Sequence, residues 1–331
     1  MTMHTLIGKT DRFKKIISGF SESSVLVIGD LILDEFLWGE VSRISPEAPV
    51  PVVCIKSESF MPGGAANVAN NINTLGVKTC LAGVVGRDER GRILTGILKE
   101  KGIDVDGIVT DENRPTTLKT RVIAHHQQVV RIDKEKTDAL GTDSITGIID
   151  YVNAKIKDID AIIIEDYGKG VITPSLLKEV LRLARNHRKI VTVDPKEDHF
   201  HFYKGVTAIT PNHHEAAQAA GIKIKDKASL EKIGKVLLNK LRCKAVLVTL
   251  GENGMQVFER GGDVTHIPTV AQDVFDVSGA GDTVIAVFTS ALAGGAKIID
   301  AAHISNFAAG IVVGKVGIAV VTQEELLERI K

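Results

Sequence analysis

Four short apolar runs set the main constraint on this fold: "SVLVIGD" (24–30), "AIIIED" (161–166), "KIVTVDP" (189–195) and "AVLVTLG" (245–251). Each is rich in β-branched residues and apolar at consecutive positions, so both faces of the strand it forms must be covered. Longer segments with helical spacing lie between them, such as "TPSLLKEVLRLARNHR" (173–188), where Pro174 suits a helix start. Strand and helix alternating in this way predict an α/β chain built on a doubly wound, mainly parallel sheet. Two stretches break the rhythm. "PVPVVCIKSESF" (49–60) and "TTLKTRVIAHHQQVVRID" (116–133) read as extended, partly polar strands. They are expected to form a small antiparallel flap over one edge of the sheet, or else a pair of surface hairpins.

Charged residues gather where the strands end: Asp30 and Asp34 after the first, Glu165, Asp166 and Lys169 after the second, Asp194 and Lys196 after the third. A single Asp at a strand end is commonly a turn former or a cap. Several on one rim point to the crevice beyond the strands' carboxyl ends, where ligands bind in open parallel sheets. Two glycine corners add to this. In "DVFDVSGAGDTVIAVFTSALAGG" (273–295) the small residues Gly279, Ala280 and Gly281 precede Asp282 in the first turn of a helix. Such a corner lets an anion approach backbone N–H groups closely. Asp282 is then either an N-terminal cap or the acceptor of a proton in phosphoryl transfer. In "PGGAANVANNINTLG" (62–76) Gly63 and Gly64 start a second helix, and Asn67 is placed to bond a sugar hydroxyl or simply to pack a tight loop. "TPNHHE" (210–215) offers Asn212 and Glu215 three apart, which suits either a Mg²⁺ site or a capping box. His213 and His214 lack a third ligand at suitable spacing and read as cap or surface residues.

Composition excludes several classes. The 331 residues balance 41 Lys and Arg against 41 Asp and Glu, so no overall field draws the chain to nucleic acid or membrane. No apolar stretch has the length of a membrane span, and the first residues lack the apolar core of a signal peptide. The three cysteines, Cys54, Cys80 and Cys243, are scattered and odd in number, which argues against a disulfide framework. A soluble, cytoplasmic protein is the expectation.

In order and spacing, "PGGAANVANNINTLG", "EDYGKG" (165–170), "VDPK" (193–196), "TPNHHE" and "DVSGAGDT" (276–283) resemble the ribokinase/PfkB carbohydrate-kinase family over nearly the whole chain. A narrower likeness lies in "GEVSRISPEAPVPVV" (39–53), "LKTRVIAHHQQVVRID" (118–133) and "AAGIVVGKVG" (308–317), to the branch that phosphorylates a heptose 7-phosphate. The resemblance implies a ribokinase-like three-layer αβα sandwich with a mainly parallel central sheet and a small β-sheet lid. One kinase domain would span residues 1–331, with lid segments at about 38–60 and 115–133. It implies transfer of phosphate from ATP, with Mg²⁺ as cofactor and a monovalent cation such as K⁺ an open requirement. Asp282 would be the catalytic base, with Gly279, Ala280 and Gly281 as its anion hole. The nucleotide would lie against Lys169, Lys196, Asn212, His213, His214, Glu215, Thr249, Gly251, Gly254, Asn306 and Ala309, with Glu215 and Asp166 toward the metal. Asp34, Gly63, Gly64 and Asn67 would hold the acceptor, a small sugar phosphate whose phosphate falls to Arg43, Lys119, Arg121 or Arg131. A homodimer paired through the lid is also implied.

Two positions depart from the family pattern: Glu165 stands where many members carry a small hydroxyl residue, and Glu197 follows Lys196 where glycine is common. A nucleotidyltransferase half would need an HxGH motif, and none occurs in these residues. Three other readings compete. A related kinase would take fructose, ribose or a nucleoside, and a non-catalytic sugar-binding protein would use the same pocket. A dinucleotide-dependent oxidoreductase is disfavoured because no G-x-G-x-x-G turn follows the first strand.

Overall fold

A computed structural model describes residues 3–125, 127–271, 273–315 and 317–330, with side chains from residue 9 onward. The strands, in chain order, are β1 (Ser24–Gly29), β2 (Leu31–Ile44), β3 (Pro51–Gly64), β4 (Lys78–Gly86), β5 (Asp104–Asp111), β6 (Thr117–Ala124) and β7 (Gln127–Lys134). They continue as β8 (Ala161–Glu165), β9 (Ile190–Asp194), β10 (Ala208–Ile209), β11 (Ala245–Thr249), β12 (Met255–Glu259) and β13 (Val264–Ile267). The helices are α1 (Met3–Ser18), α2 (Ala65–Thr74), α3 (Glu89–Glu100), α4 (Thr142–Lys155) and α5 (Pro174–Asn186). They are followed by α6 (His213–Ala220), α7 (Lys227–Leu241), α8 (Ala280–Ala293), α9 (Ile298–Val312) and α10 (Gln323–Arg329).

The large sheet runs β13-β12-β11-β10-β9-β8-β1-β4-β5, parallel throughout except where β12 and β13 turn back at one edge. The four apolar runs are β1, β8, β9 and β11 of this sheet. Their continuous hydrophobicity serves two cores, because alternate side chains point to opposite faces. Val25 and Val27 of β1 and Ile163 of β8 join the core under α1, α2, α3, α8, α9 and α10. Leu26 and Ile28, with Ile162 and Ile164, join the core under α4, α5, α6 and α7. That is a three-layer α/β sandwich, as expected. Among the described residues no helix is long and apolar enough to cross a membrane. All three cysteines are free.

The lid is a second sheet, ordered β3-β2-β6-β7. It differs from the expected flap in two respects. Its central pair, β2 with β6, is parallel rather than antiparallel, because the chain passes through β3, α2, β4, α3 and β5 between them. Its first two strands also reach further into the body than expected, pairing from Leu31↔Gly64 out to Ile44↔Pro51 with two register shifts. The lid therefore grows directly from the ends of β1 and α2 and is anchored at the sheet's rim.

Register places the rim residues side by side. Gly29, Glu165 and Asp194 are partners across β1, β8 and β9, on strands about 4.8 Å apart. A side chain at Gly29 would strike the Glu165 backbone, its Cβ only 2.1 Å from the carbonyl oxygen, so glycine is required for this approach.

Candidate active site

Both glycine corners lie at helix starts, and they meet. Gly279 is the residue before α8, with φ 77°, and Gly64 is the residue before α2, with φ 55°. These are left-handed conformations that glycine tolerates and side chains resist. Asp282 is the third residue of α8, as expected, and is almost fully buried. Asn67 of α2 donates its amide to Asp282 Oδ2 at 2.6 Å, and Tyr167 donates its hydroxyl to Oδ1 at 2.9 Å. Behind them the Thr283 hydroxyl donates to Asn71 Oδ1 at 3.0 Å, locking α8 to α2. Burial pushes the Asp282 carboxyl up to about 6, against the bonds from Asn67 and Tyr167 that favour its charge, while Asp34 raises it and Lys119 lowers it. A carboxylate held near neutrality in this way is suited to proton transfer. The first N–H groups of a helix have no partner within it, and in this state that of Ala280 bonds the Val277 carbonyl at 3.2 Å.

Tyr167 is the residue that sequence reasoning missed. It lies inside the quoted "EDYGKG", but nothing in the local pattern marks its hydroxyl as a partner of a residue 115 positions later. Its loop is held by Asp30, whose buried carboxylate accepts from the N–H groups of Tyr167, Lys169 and Val171 at 2.9, 3.0 and 3.1 Å. Asp30 is thus a loop organiser. Burial pushes its carboxyl up to about 6 despite those three bonds.

The acceptor side is a face of the lid. Asp34, Lys119 and Asp133 are neighbours across β2, β6 and β7, and two residues along lie Phe36, Arg121 and Arg131. Arg121 pairs with Asp34 and stacks on Phe36, and Arg131 pairs with Asp133. The Lys119 ammonium sits 5.3 Å from the centre of the Tyr167 ring, and burial lowers its basicity. Gly63 packs so tightly on Asp34 that a Cβ there would be 2.2 Å from the carboxylate. Arg43 stands apart. It is exposed on the outer arm of β2, roughly 30 Å from Asp34 at ~3.3 Å per strand residue. Glu35, on the opposite side of the strand from Asp34, was also missed; it is buried and bonded to Thr120 and to Arg90, the latter at 2.6 Å.

On the other side of α8 a cavity of about 430 Å³ is lined by Thr249, Gly251, Gly254, Ala280, Gly281, Asn306 and Ala309, among others. The sequence-derived adenosine residues therefore converge. Gly254 has φ 81° and no room for a Cβ, which would lie 2.1 Å from the Ile267 carbonyl. Asn306 donates to the Pro268 carbonyl at 2.8 Å, which fixes one wall. A larger, more open groove of about 830 Å³ adjoins at Gly251 and Glu252 and takes in His213. Neither is lined by a rim carboxylate, but the smaller cavity is walled by Ala280 and Gly281 at the start of α8, which the larger groove does not reach. His214 lies against His213 in the first turn of α6, the ring centres 3.9 Å apart and the planes tilted by 40°.

Asn212 and Glu215 form a complete capping box: Asn212 Oδ1 accepts from the Glu215 N–H at 3.0 Å, and Glu215 Oε2 accepts from the Asn212 N–H at 2.8 Å. Lys169 pairs with Glu135, and Lys196 with Glu197, each at 2.7 Å. Asp166, expected near the metal, is committed elsewhere. Its Oδ2 accepts from the Tyr203 hydroxyl at 2.6 Å and meets His199 Nδ1 at 2.7 Å, while Oδ1 accepts from the Gly168 N–H at 2.9 Å. The carboxylates that do converge are Glu165, Asp194 and Asp282, with one oxygen of each within 4.8 Å of the others. Burial first, then the neighbouring carboxylates, holds the carboxyls of Glu165 and Asp194 well above the usual range. Two unit charges ~4 Å apart repel by about 4 kcal/mol at the effective dielectric of such a site, so this cluster favours a proton or a cation. Oxygen donors of this type fit Mg²⁺.

Comparison with known proteins decides the family. The model of the pfkB family carbohydrate kinases matches residues 22–324. The chain belongs to that family. It is therefore an ATP-dependent carbohydrate kinase. It is 51% identical over 304 residues to the bifunctional protein HldE of Geobacter sulfurreducens, covering 92% of this chain and 62% of that one. The HldE proteins of Helicobacter pylori (strain J99) and Wolinella succinogenes are 45% and 43% identical over 91% and 95% of this chain. The chain spans 62% to 66% of the length of these relatives. In three dimensions it resembles Arabidopsis thaliana ribokinase complexed with ribose and ATP, at TM-score 0.74 and 20% identity over 93% of this chain and 99% of that one. It also resembles phosphofructokinase-2 of Escherichia coli, at TM-score 0.76 and 17% identity over 93% and 98%. Those two likenesses establish the ribokinase-like fold.

Proposed function

We propose that the chain transfers the γ-phosphoryl group of ATP to the anomeric (C1) hydroxyl of D-glycero-β-D-manno-heptose 7-phosphate. The product is the 1,7-bisphosphate, a step toward the ADP-activated heptose of the lipopolysaccharide core. The observation that carries this reading is the placement of a basic lid face, Lys119 with Arg121 and Arg131, beside the carboxylate of Asp282. A kinase of an unphosphorylated sugar has no need of such charge, and likeness to the HldE proteins supports a heptose as the sugar.

In this reading residues 1–331 are one kinase domain with its lid. Asp34, Gly63, Gly64 and Asn67 orient the sugar, and Lys119, the cation of the lid face without a carboxylate in direct contact among its described bonds, takes the 7-phosphate. Arg121 and Arg131 exchange their present carboxylate partners for the same anion, to which guanidinium groups bind in bidentate fashion. The nucleotide occupies the cleft at Thr249, Gly251, Gly254, Asn306 and Ala309, with Lys169, Lys196, Asn212 and Glu215 toward the triphosphate. Glu165 and Asp194 of the rim would hold Mg²⁺, which when bound would supply positive charge against that of the transferring phosphate. As the acceptor oxygen bonds to phosphorus, Asp282 takes its proton, the bond from phosphorus to the bridging oxygen breaks, and ADP leaves with that electron pair. N–H groups of Gly279, Ala280 and Gly281 face the migrating group. The exposed apolar side chains of the lid, Val130 and Ile132 among them, pair two chains into a homodimer.

An ADP-release assay across free and phosphorylated sugars tests the acceptor. Heptose 7-phosphate should exceed fructose, ribose and adenosine in kcat/KM by about 100-fold or more, the scale set by leaving a buried polar site unpaired. Preference for an unphosphorylated sugar would contradict it.

A further inference from the structure

The back of the lid carries a buried polar row that the transfer itself does not use. Glu35 of β2 is flanked by Phe60 of β3 and Thr120 of β6. Strand alternation puts this row on the side opposite Asp34, Phe36, Lys119 and Arg121. Glu35 and Thr120 are both buried, and both carboxylate oxygens of Glu35 are engaged. One accepts from the Thr120 hydroxyl, the other from the Arg90 guanidinium at 2.6 Å. Arg90 belongs to the body, in the first turn of α3, and its guanidinium also lies 4.9 Å from the centre of the Phe60 ring. The same helix start holds the lid a second time. Asp88, the residue before α3, accepts from the Thr116 N–H at 2.9 Å and from the Thr116 hydroxyl at 2.7 Å, immediately before β6. Both central strands of the lid are thus tied to one turn of helix in the body.

Stability alone does not account for this row, because apolar side chains of like volume hold a fold as well as a buried ion pair does. What the pair adds is direction. The bond from Thr120 to Glu35 crosses the two strands at the step between the neighbours Asp34–Lys119 and Phe36–Arg121. A slip of one residue there would turn both pairs away from the cleft. We propose that Glu35 and Arg90 are positioning residues for phosphoryl transfer: acting through Thr120, they hold Asp34 opposite Lys119 and keep the acceptor face of the lid at a fixed height over Asp282. Both lie behind that face and act through the residues in front. The inference rests on the reading of the lid face as the acceptor site, and not on which sugar it takes.

The test follows ADP release for acceptor kcat/KM and calorimetry for nucleotide Kd, each measured well below the Tm of the variant. The acceptor is whichever of heptose 7-phosphate, fructose, ribose and adenosine the wild type uses best, so a wrong sugar shows in the wild type alone. Glu35→Gln and Arg90→Gln should each lower acceptor kcat/KM by about tenfold or more, the scale of a small misplacement near the chemistry. Nucleotide Kd should stay within about twofold, and the double variant should be no worse than the poorer single one, because the two residues act as a unit. Acceptor kcat/KM within about twofold of wild type in either single variant, whatever its Tm, overturns the proposal and leaves the row a support of the fold alone. An equal loss of nucleotide affinity also overturns it. Lys119→Ala reports on the lid face: wild-type values there overturn that reading and the positioning role with it, whereas loss there beside wild-type values in Glu35→Gln overturns the positioning role alone. Should the Glu35 and Arg90 variants fail to fold, Thr120 decides. Loss in Thr120→Val with recovery in Thr120→Ser, which keeps the hydroxyl, supports positioning, and equal behaviour of the two overturns it.

Discussion

Both oxygens of Asp282 accept bonds from donors distant in the chain, Asn67 and Tyr167, and both donors favour its charged form. Tyr167 itself is held protonated, first by the negative Asp282 and then by burial, so it remains a donor throughout the working pH range. Replacing Tyr167 with Phe removes one bond to the carboxylate and raises its pKa. The acid limb of kcat against pH should therefore move to higher pH by about one unit, the size of a lost bond to a charged group of ~1.5 kcal/mol. The loss of activity should be about fivefold near pH 6 and largely recovered only by about pH 8, a unit above the shifted midpoint. An unshifted limb would show that Tyr167 only packs. The same residue marks a limit of sequence reading. Asp282 was legible because a glycine corner, a carboxylate and a helix share one stretch of chain, whereas Tyr167 acquires its role only when β8 is laid beside β1 and Asp30 gathers the loop.

Strands and helices of the central sheet were legible because fully covered strands are apolar at every position, and helices between them carry their own start signals. The lid was harder. Exposed strands carry a weak alternation, and the direction of β6 relative to β2 depends on the intervening chain, which no local pattern encodes. Within the lid, β7 is exposed along its whole length, with Val130 46% and Ile132 55% exposed. A bare apolar edge strand is avoided by monomeric proteins. The double variant Val130→Lys, Ile132→Glu should convert a wild-type dimer to monomer in sedimentation equilibrium while leaving the Tm within a few degrees. A wild type that sediments as monomer, or a variant that still dimerises, would contradict pairing through this strand.

At the scale of the molecule, helix starts from opposite ends of the chain close on one carboxylate, with a nucleotide-sized cavity on one side and a basic lid face on the other. Their meeting was not readable from either corner alone; it follows from α2 and α8 packing on the same face of the sheet, joined by Thr283 and Asn71. The capping box at Asn212 and Glu215 shows the converse, a motif whose local bonding is complete without a ligand. The central claim, that Asp282 removes the acceptor proton, is tested most directly by Asp282→Asn. With ADP release followed and nucleotide binding measured by calorimetry, kcat should fall by about 10² to 10⁴-fold, the usual contribution of a general base, while the Kd for nucleotide stays nearly constant. Near-normal turnover in that variant would contradict the claim.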